Sequence, residues 1–374
     1  LSANNLYRCD LDVSGFFNEG KKKLQFDIGG EVSEGYLKGR YKKALKDVVR
    51  DVYSSIYKKD HGLSDFIIDF NLSKQSGLLG KNKNAGDSGH TVAVAYDYPG
   101  FLPIERKVSK DLVDIADHIY QHNEAPDFLK RYGSFNFDGL EADGKISATA
   151  SYDDGMNLTK VKRLVCALEH KPDVRGDELR EYWMDVVDAY QKHFRDEYAV
   201  DLNLNPDNIT VNGNGDWTAK AKHYADSGNR HSKPQNQLFG SYGGTEDSIF
   251  GEDPSKPSLT ASLMARKIAV EIVGAGYSNF ASVKLEYIIG HEELLLDDDM
   301  IEIGKPNKYN AHDQNELAGI IKENFSLKYD DAVQMFDLRN METHKDVALK
   351  GDHFHDPNYK WNRYEHKLER LKAA

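Results

Sequence analysis

The segment Gly251-Glu252-Asp253-Pro254-Ser255-Lys256 has the residue types of an anion-binding loop, and a helical pattern begins directly after it. Glycine and the Pro-Ser pair favour a tight loop, and Lys256 stands where that loop ends. The N-terminus of a helix carries unpaired N–H groups and the positive end of the helix dipole. The sequence therefore predicts that this loop, with the amphipathic helix that follows it, holds a phosphate group.

Three further polar segments have residue types that suit a metal-bound polyphosphate. They are Lys74-Gln75-Ser76 followed by Ala85-Gly86-Asp87-Ser88-Gly89, then Asp143-Gly144-Lys145, and then Asp226-Ser227-Gly228 with Arg230, His231 and Lys233. Carboxylates hold Mg²⁺ on a polyphosphate, and lysines neutralise charge that develops on its oxygens. Each segment also has a plainer interpretation, as a polar loop, a hairpin turn or a solvated charged loop. Together they favour chemistry that depends on positioning and electrostatics.

Composition excludes several other classes. The net charge of −12 argues against a general nucleic-acid or anionic-membrane surface. The sequence has no Walker lysine loop, no GxGxxG after a strand, no GxSxG and no HExxH. No apolar run approaches the ~20 residues that span a bilayer. The two cysteines, Cys9 and Cys166, suit a reducing compartment, so we expect a cytoplasmic protein with packed thiols.

The elements that must position these segments alternate between strand and helix patterns. Two extended segments flank a polar turn at Asn18-Glu19-Gly20. Helices are predicted over 40–57, 108–122, 177–196, 259–273 and 313–325, and strands over 65–72, 91–96, 145–152, 160–169, 208–212 and 282–289. This texture predicts an α+β fold with three similar domains, 1–95, 103–217 and 218–374. The polar stretch 213–258 is too long for an ordinary connection, which is typical of functional or disordered loops.

In this order the segments resemble those of the S-adenosylmethionine synthetases (methionine adenosyltransferases), from about residue 9 to the C-terminus. Beyond the four segments above, the matches are Tyr152-Asp153-Asp154-Gly155, Met264-Ala265-Arg266-x-Ile268-Ala269, Glu286-Tyr287-Ile288-Ile289-Gly290, Phe325-Ser-Leu327 and Phe336-Asp337-Leu338. The resemblance implies three similar sheet-and-helix domains around a pseudo-threefold axis. It implies a homodimer with active sites at the subunit interface, often paired into a dimer of dimers. It also implies ATP and L-methionine as substrates, cleavage of the resulting triphosphate, and Mg²⁺ and K⁺ as cofactors.

The resemblance also assigns roles to individual residues. Phosphate contacts fall to Lys145, Lys233 and Lys256, and substrate contacts to Gln75, Asp87, Asp143, Trp217, Asp226 and Arg230. Gln75 would lie near methionine, and Trp217 would pack on the adenine. Metal contacts fall to Asp226 and to Asp10, which stands where the family has a glutamate near its potassium ion.

The sequence departs from the family pattern at several points. The Gly-His-Pro-Asp motif of the family belongs before residue 9 and is absent from this sequence. Glu252 replaces a lysine beside the phosphates, Ser258 replaces an aspartate, and Ser232 falls where an arginine precedes Lys233. The loop between Ser76 and Asp87 is shorter than the family's gating loop.

Two main hypotheses follow. In the first, the chain is a divergent methionine adenosyltransferase, and a longer native chain carries the missing motif upstream of Leu1. In the second, it is a degenerate homologue that serves as a structural or regulatory partner of an active paralogue, in a hetero-oligomer. Glu252, Ser258 and the missing motif favour the second hypothesis, whereas Asp87, Lys145, Asp226 and Lys256 favour the first. An unrelated α+β binding protein is the third alternative.

Overall fold

The computed structural model describes residues 9–32, 41–58, 62–74, 85–218, 228–229, 244–245, 254, 256–304, 314–350 and 353–368. Helices within these residues are α1 (Tyr41–Tyr57), α2 (Ile104–His122), α3 (Gly176–Tyr198), α4 (Pro257–Gly274), α5 (Gln314–Asn324), α6 (Tyr329–Met335) and α7 (Met341–Lys350). Strands are β1 (Cys9–Asn18), β2 (Lys23–Val32), β3 (Phe66–Lys74), β4 (Gly89–Tyr96), β5 (Leu140–Tyr152), β6 (Leu158–His170), β7 (Ile209–Val211), β8 (Gly228–Asn229), β9 (Gly244–Thr245), β10 (Phe280–Tyr287) and β11 (Ile301–Ile303). The predicted α+β class is confirmed.

The chain divides into two compact units. One is Leu102–Lys222, and the other combines Leu1–Phe101 with His223–Ala374. The larger unit therefore consists of two separate segments of the sequence, and the smaller unit of one continuous segment. The division of the sequence into 1–95, 103–217 and 218–374 stays a prediction.

The first sheet of the larger unit has the strand order β3-β2-β1-β8. β1 and β2 form the antiparallel hairpin that the polar turn predicts, and β3 runs parallel to β2. Leu24, Ile28 and Val32 lie on the same face of β2, because side chains alternate between the two faces of a strand, and all three are buried. Helix α1 contacts this sheet through Tyr53, whose ring lies 5.5 Å from that of Phe66.

The second sheet of the larger unit has the order β11-β10-β4-β9, and all its neighbours are antiparallel. β4 pairs along its whole length with β10, from Gly89 opposite Tyr287 to Tyr96 opposite Phe280. This sheet thus joins strands about 190 positions apart in the sequence. Helix α4 packs on β4 and β10.

Helix α4 is buried on every side from Pro257 to Val273. The prediction of an amphipathic helix was therefore wrong. The charged residues of the helix, Arg266, Lys267 and Glu271, are bonded inside the unit. A helix that is covered all round belongs to the core of a large unit, which explains why its polar residues do not mark a solvent face.

The smaller unit is built on the sheet β5-β6-β7. β5 and β6 form an antiparallel hairpin, and β7 runs parallel to β6. Helix α2 packs on β5. Helix α3 buries one side, which includes Leu179, Trp183, Val186, Val187, Tyr190 and Phe194, and Tyr182 is half-buried. Within the described residues, no helix has both the length and the apolar composition needed to cross a membrane.

Candidate functional site

Lys256 and Asp87 meet in the larger unit, although 168 residues separate them in the sequence. Lys256 occupies the N-cap position of α4, and its Nζ lies 3.6 Å from Oδ2 of Asp87. The lysine side chain is 15% exposed and the aspartate side chain 56% exposed. The structure thus brings a predicted phosphate contact and a predicted substrate contact to one place, at the beginning of a long helix.

The segment that carries Asp87 is fixed by the turn after β10. The backbone N–H of Ala85 donates to the carbonyl of His291 at 3.1 Å, and the N–H of Gly290 donates back to Ala85 at 2.8 Å. Gly290 has a φ of +83°, a conformation that favours glycine. Two of the matched sequence motifs, Ala85-Gly86-Asp87 and Glu286 to Gly290, therefore form one structure.

Ser88 completes this connection and orients Asp87. Its Oγ accepts the N–H of Ile289 at 2.9 Å, and its own N–H donates to Oδ1 of Asp87 at 2.9 Å. Because Oδ1 is occupied in this way, Oδ2 is the oxygen that faces Lys256.

The carbonyl of Pro254 is held just before α4. It accepts hydrogen bonds from the hydroxyl of Tyr329 and from Oγ1 of Thr260, the latter at 3.3 Å. Tyr329 begins α6, so the C-terminal part of the chain holds Pro254, two residues before Lys256.

Ser258, which stands where the family has an aspartate, is buried in the first turn of α4. Its carbonyl accepts the Ser262 hydroxyl at 2.6 Å, and Ser262 is 2.7 Å from Oγ1 of Thr91 on β4. The first turn of α4 carries no acidic residue. No carboxylate of the helix itself therefore offsets the positive end of the helix dipole, which lies beside Lys256.

Asp143 and Lys145 lie in the smaller unit, within β5. Leu140 pairs with His170 and Gly144 with Leu168, so the intervening residues bulge from the ladder. The interpretation of Asp143-Gly144 as a hairpin turn is therefore wrong, since a bulge supplies the local kink instead. Asp143 and Lys145 are exposed. They border a cleft of about 120 Å³ whose wall also includes Asp117, Tyr120, Leu140, Ile146 and Leu168.

Trp217 lies at the end of β6 in the smaller unit and is half-buried. Its backbone N–H donates to Nε2 of His170 at 3.0 Å, and its carbonyl accepts the backbone N–H of His170 at 3.0 Å. Asp216 precedes it and accepts the N–H of Gly176, the first residue of α3, at 2.8 Å. The sequence analysis did not predict His170 as a residue of this site. The available signal was its place directly after the predicted strand 160–169.

The other predicted site residues fall outside what the structure describes. Gln75, Asp226, Arg230 and Lys233 lie outside the described residues, as do Glu252 and Ser232. Asp10 lies in β1 opposite Glu31, but its side chain is not described. The roles of these residues stay predictions.

The carboxylates of Asp87 and Asp143 have the oxygen donors that Mg²⁺ and K⁺ require. Within the described ranges, however, no three His, Cys, Asp or Glu side chains cluster as a metal site does. The two predicted metal ligands, Asp10 and Asp226, are not among the described side chains.

Comparisons with known proteins agree on one family. The family profile for the S-adenosylmethionine synthetase C-terminal domain matches residues 222–363. An S-adenosylmethionine synthase of Mycoplasmopsis pulmonis is 26% identical over 327 residues, covering 84% of this chain and 77% of that protein. One of Aquifex aeolicus is 25% identical over 355 residues, covering 92% and 85%.

A solved structure shares the fold. It is described as an unusual S-adenosylmethionine synthetase from Campylobacter jejuni, with a TM-score of 0.76 at 20% identity, covering 99% of this chain and 92% of that one. The chain is thus similar to S-adenosylmethionine synthetases: the profile of their C-terminal domain matches residues 222–363, two such enzymes match along most of the chain, and a solved structure of that description has the same fold.

Proposed function

We propose that this protein is a methionine adenosyltransferase that forms S-adenosylmethionine from ATP and L-methionine. The observation that carries the proposal is the meeting of Lys256 and Asp87 at the N-terminus of α4, in a chain whose relatives bear that name. In this reaction the methionine sulfur attacks C5′ of ATP, an S–C bond forms, and the C5′–O bond breaks. The electron pair of that bond leaves with the triphosphate, which water then cleaves to pyrophosphate and phosphate.

Lys256 would neutralise charge on the departing triphosphate. Lys256 is the N-cap residue of α4, so its ammonium and the positive end of the helix dipole would act on the same region. The side chain is mostly covered, so water screens its charge less than it would at an open surface. Asp87, which is more exposed, would contact the substrate or a cation that accompanies it.

The smaller unit would supply further substrate contacts. Asp143 stands on the bulge of β5 and Lys145 just after it, both beside a cleft, and Trp217 is half-buried. An indole provides a flat apolar surface on which an adenine ring stacks. Lys145 would reach phosphate oxygens, and Asp143 would contact the methionine side of the substrate pair.

Cofactors and assembly belong to the same proposal. Mg²⁺ would screen the triphosphate when bound, and K⁺ is the second ion that the family implies. The active form would be a homodimer or a dimer of dimers, in the cytoplasm. Gln75, Asp226, Arg230 and Lys233 keep their proposed contacts with methionine, metal and phosphates.

The test is an assay of the purified protein with ATP, methionine, Mg²⁺ and K⁺, in which mass spectrometry quantifies S-adenosylmethionine, pyrophosphate and phosphate. We expect product from the unaltered chain. Lys256→Ala should lower kcat by about 10²- to 10³-fold, the scale for removal of one group that stabilises transition-state charge.

The matched control is Lys322→Ala, because Lys322 is an exposed lysine of the same unit and lies on α5. It should leave product formation unchanged. Absence of product from the unaltered chain, with ATP still stabilising the fold against heat, would refute the catalytic proposal and point to a nucleotide-binding relative without activity. An equal loss in both lysine variants would refute the role of Lys256.

A further inference from the structure

We infer that His170 is the positioning residue for Trp217 and thereby sets the affinity of the protein for the adenine ring. This inference rests on the proposed function, because it takes Trp217 as the surface on which the adenine stacks. His170 is the last residue of β6 and is only 1% exposed. In this role His170 contacts no substrate atom and acts through the tryptophan.

The hydrogen bonds of His170 define its protonation and its role. Nε2 accepts the backbone N–H of Trp217 at 3.0 Å, so this nitrogen carries no proton. In the neutral ring the proton then sits on Nδ1, which faces the carbonyl of Lys171 at 3.1 Å and donates to it. Both ring nitrogens are therefore used, and the ring has one orientation.

The backbone of Trp217 is held at both of its polar groups. Its N–H is bound by the His170 ring, and its carbonyl accepts the His170 backbone N–H at 3.0 Å. Asp216 anchors the preceding residue through the N–H of Gly176 at 2.8 Å. A Cβ added to Gly176 would come within 2.4 Å of Oδ1 of Asp216, so this contact leaves no room for a larger residue.

Pre-organisation explains why such a clamp matters for binding. An aromatic ring that is already ordered loses little freedom when a base stacks on it, whereas a mobile ring must be ordered at the expense of affinity. Trp217 directly follows a loop, Gly213 to Asp216, that is exposed and otherwise lacks helix or strand pairing. The ring of His170 therefore supplies order that the loop does not supply by itself.

Two substitutions of His170 separate the effect of the hydrogen-bond acceptor at Nε2 from the effects of the rest of the imidazole side chain. In His170→Gln, an amide oxygen takes the approximate place of Nε2 and still accepts the Trp217 N–H. In His170→Asn, the shorter amide reaches the place of Nδ1 and can bond to the Lys171 carbonyl, but it leaves the Trp217 N–H without its acceptor.

Asn212 provides the control for purely structural damage. Its side chain bonds both polar groups of the Leu168 backbone at 2.8 Å, near the same end of β6, and Trp217 is not among those partners. Asn212→Ala therefore loosens the same strand end by a comparable amount without releasing the tryptophan.

The experiment measures kcat and the KM values for ATP and methionine in the full-length variants. It also measures quenching of Trp217 fluorescence by ATP and by acrylamide, with Trp217→Phe as the spectral reference. We expect His170→Asn to raise the KM for ATP about three- to tenfold, the effect of one lost hydrogen bond. The KM for methionine should change less than about twofold and kcat less than about threefold on the same scale. His170→Gln should restore the KM for ATP.

Acrylamide should quench Trp217 more strongly in His170→Asn than in His170→Gln. If His170→Asn and Asn212→Ala raise the KM for ATP equally, or if His170→Gln fails to restore it, the inference is wrong while the proposed function stands. If the unaltered protein neither binds ATP nor forms product, both are wrong.

Discussion

At the residue scale, the Lys256–Asp87 pair orients side chains more than it stabilises the fold. The two charged atoms are 3.6 Å apart, but the carboxylate is more than half exposed. Pairs of this kind contribute about 0–1 kcal/mol, because water and salt screen them and two side chains lose freedom. The value of the pair is that it places an ammonium and a carboxylate together beside the start of a helix.

Arg266 shows the opposite case, a charge whose role is structural. It is fully buried, and burial lowers the pKa of its guanidinium to about 9, so it stays charged at neutral pH. Nη1 donates to the carbonyls of Val94 at 2.6 Å and Phe101 at 2.9 Å, and Nη2 donates to Gly100 at 2.8 Å. The matched motif Met264 to Ala269 therefore holds the chain where it leaves β4.

Arg266→Lys should destabilise the protein by about 1–3 kcal/mol. An ammonium has three donors at one atom and does not span the acceptors that a planar guanidinium reaches, so at least one buried carbonyl is left unsatisfied. Urea unfolding followed by circular dichroism measures the loss. Arg339→Lys is the control, because Arg339 is exposed in the same unit. Equal midpoints for the two variants would contradict this account.

At the element scale, the extent of most helices and strands was predictable from periodicity. Helix α3 was predicted over 177–196 and spans Gly176–Tyr198, and β10 was predicted over 282–289 and spans Phe280–Tyr287. Apolar spacing is local information, and it sufficed there. The bulge at Asp143 was not predictable, because the Asp-Gly pair that favours a hairpin turn is also accommodated within a strand when the ladder shifts.

Helix α4 was predicted in extent but not in environment, for a related reason. An amphipathic helix has a solvent face, yet the charged residues of α4 are buried, and their partners include residues far away in the sequence. Lys267 bonds Glu271 at 2.9 Å and Glu365 at 3.0 Å, and both α4 side chains are fully buried. Periodicity does not reveal partners 94 or more residues away. The same holds for His170, whose partner Trp217 lies 47 residues further along the chain.

Glu271 joins α4 to the C-terminal segment, and Glu271→Gln should release it. The carboxylate accepts the backbone N–H of Glu365 at 2.6 Å and that of Lys367 at 3.0 Å, in addition to Lys267. The amide has one acceptor oxygen and no charge, so the buried Lys267 loses its one fully buried carboxylate partner and keeps only the part-exposed Glu365. We expect a loss of about 2–4 kcal/mol in the free energy of unfolding and faster proteolysis near residue 365.

Glu292→Gln is the matched control for this prediction. Glu292 pairs with Lys328 at 3.0 Å in the same unit, but both side chains are well exposed. Its removal should change stability by less than about 1 kcal/mol, as for other surface pairs. A Glu271→Gln variant as stable as Glu292→Gln would show that the buried cluster does not hold the C-terminal segment.

At the scale of the whole molecule, the sequence of the continuous unit is inserted between the two segments that make up the discontinuous unit. The continuous unit, Leu102–Lys222, contains its own sheet and two helices that cover a shared core. The alternation of strand and helix patterns predicted the α+β class, but strand patterns do not show that β4 pairs with β10 rather than with the neighbouring strand β3. Helix α4 packs on both β4 and β10, a long-range contact that the local pattern does not contain.

A fragment of residues 102–222 should fold by itself, because it is a compact unit of continuous chain with its own sheet and buried residues. Cys166 of β6 provides the probe. It is fully buried, and burial raises the pKa of its thiol to about 12, so at pH 8 the native thiol is protonated and inaccessible to an aromatic disulfide reagent. We expect it to react at least about 100-fold more slowly in the native fragment than in urea.

The control for the labelling experiment is residue 165, which precedes Cys166 on β6. Val165 is 37% exposed, because successive side chains of β6 point to opposite faces. Val165→Cys combined with Cys166→Ser should therefore react rapidly in the same fragment. The full-length chain, with Cys9→Ser, should protect Cys166 to the same degree. A fragment that labels at Cys166 as fast as at residue 165 would show that the smaller unit needs the larger one to fold.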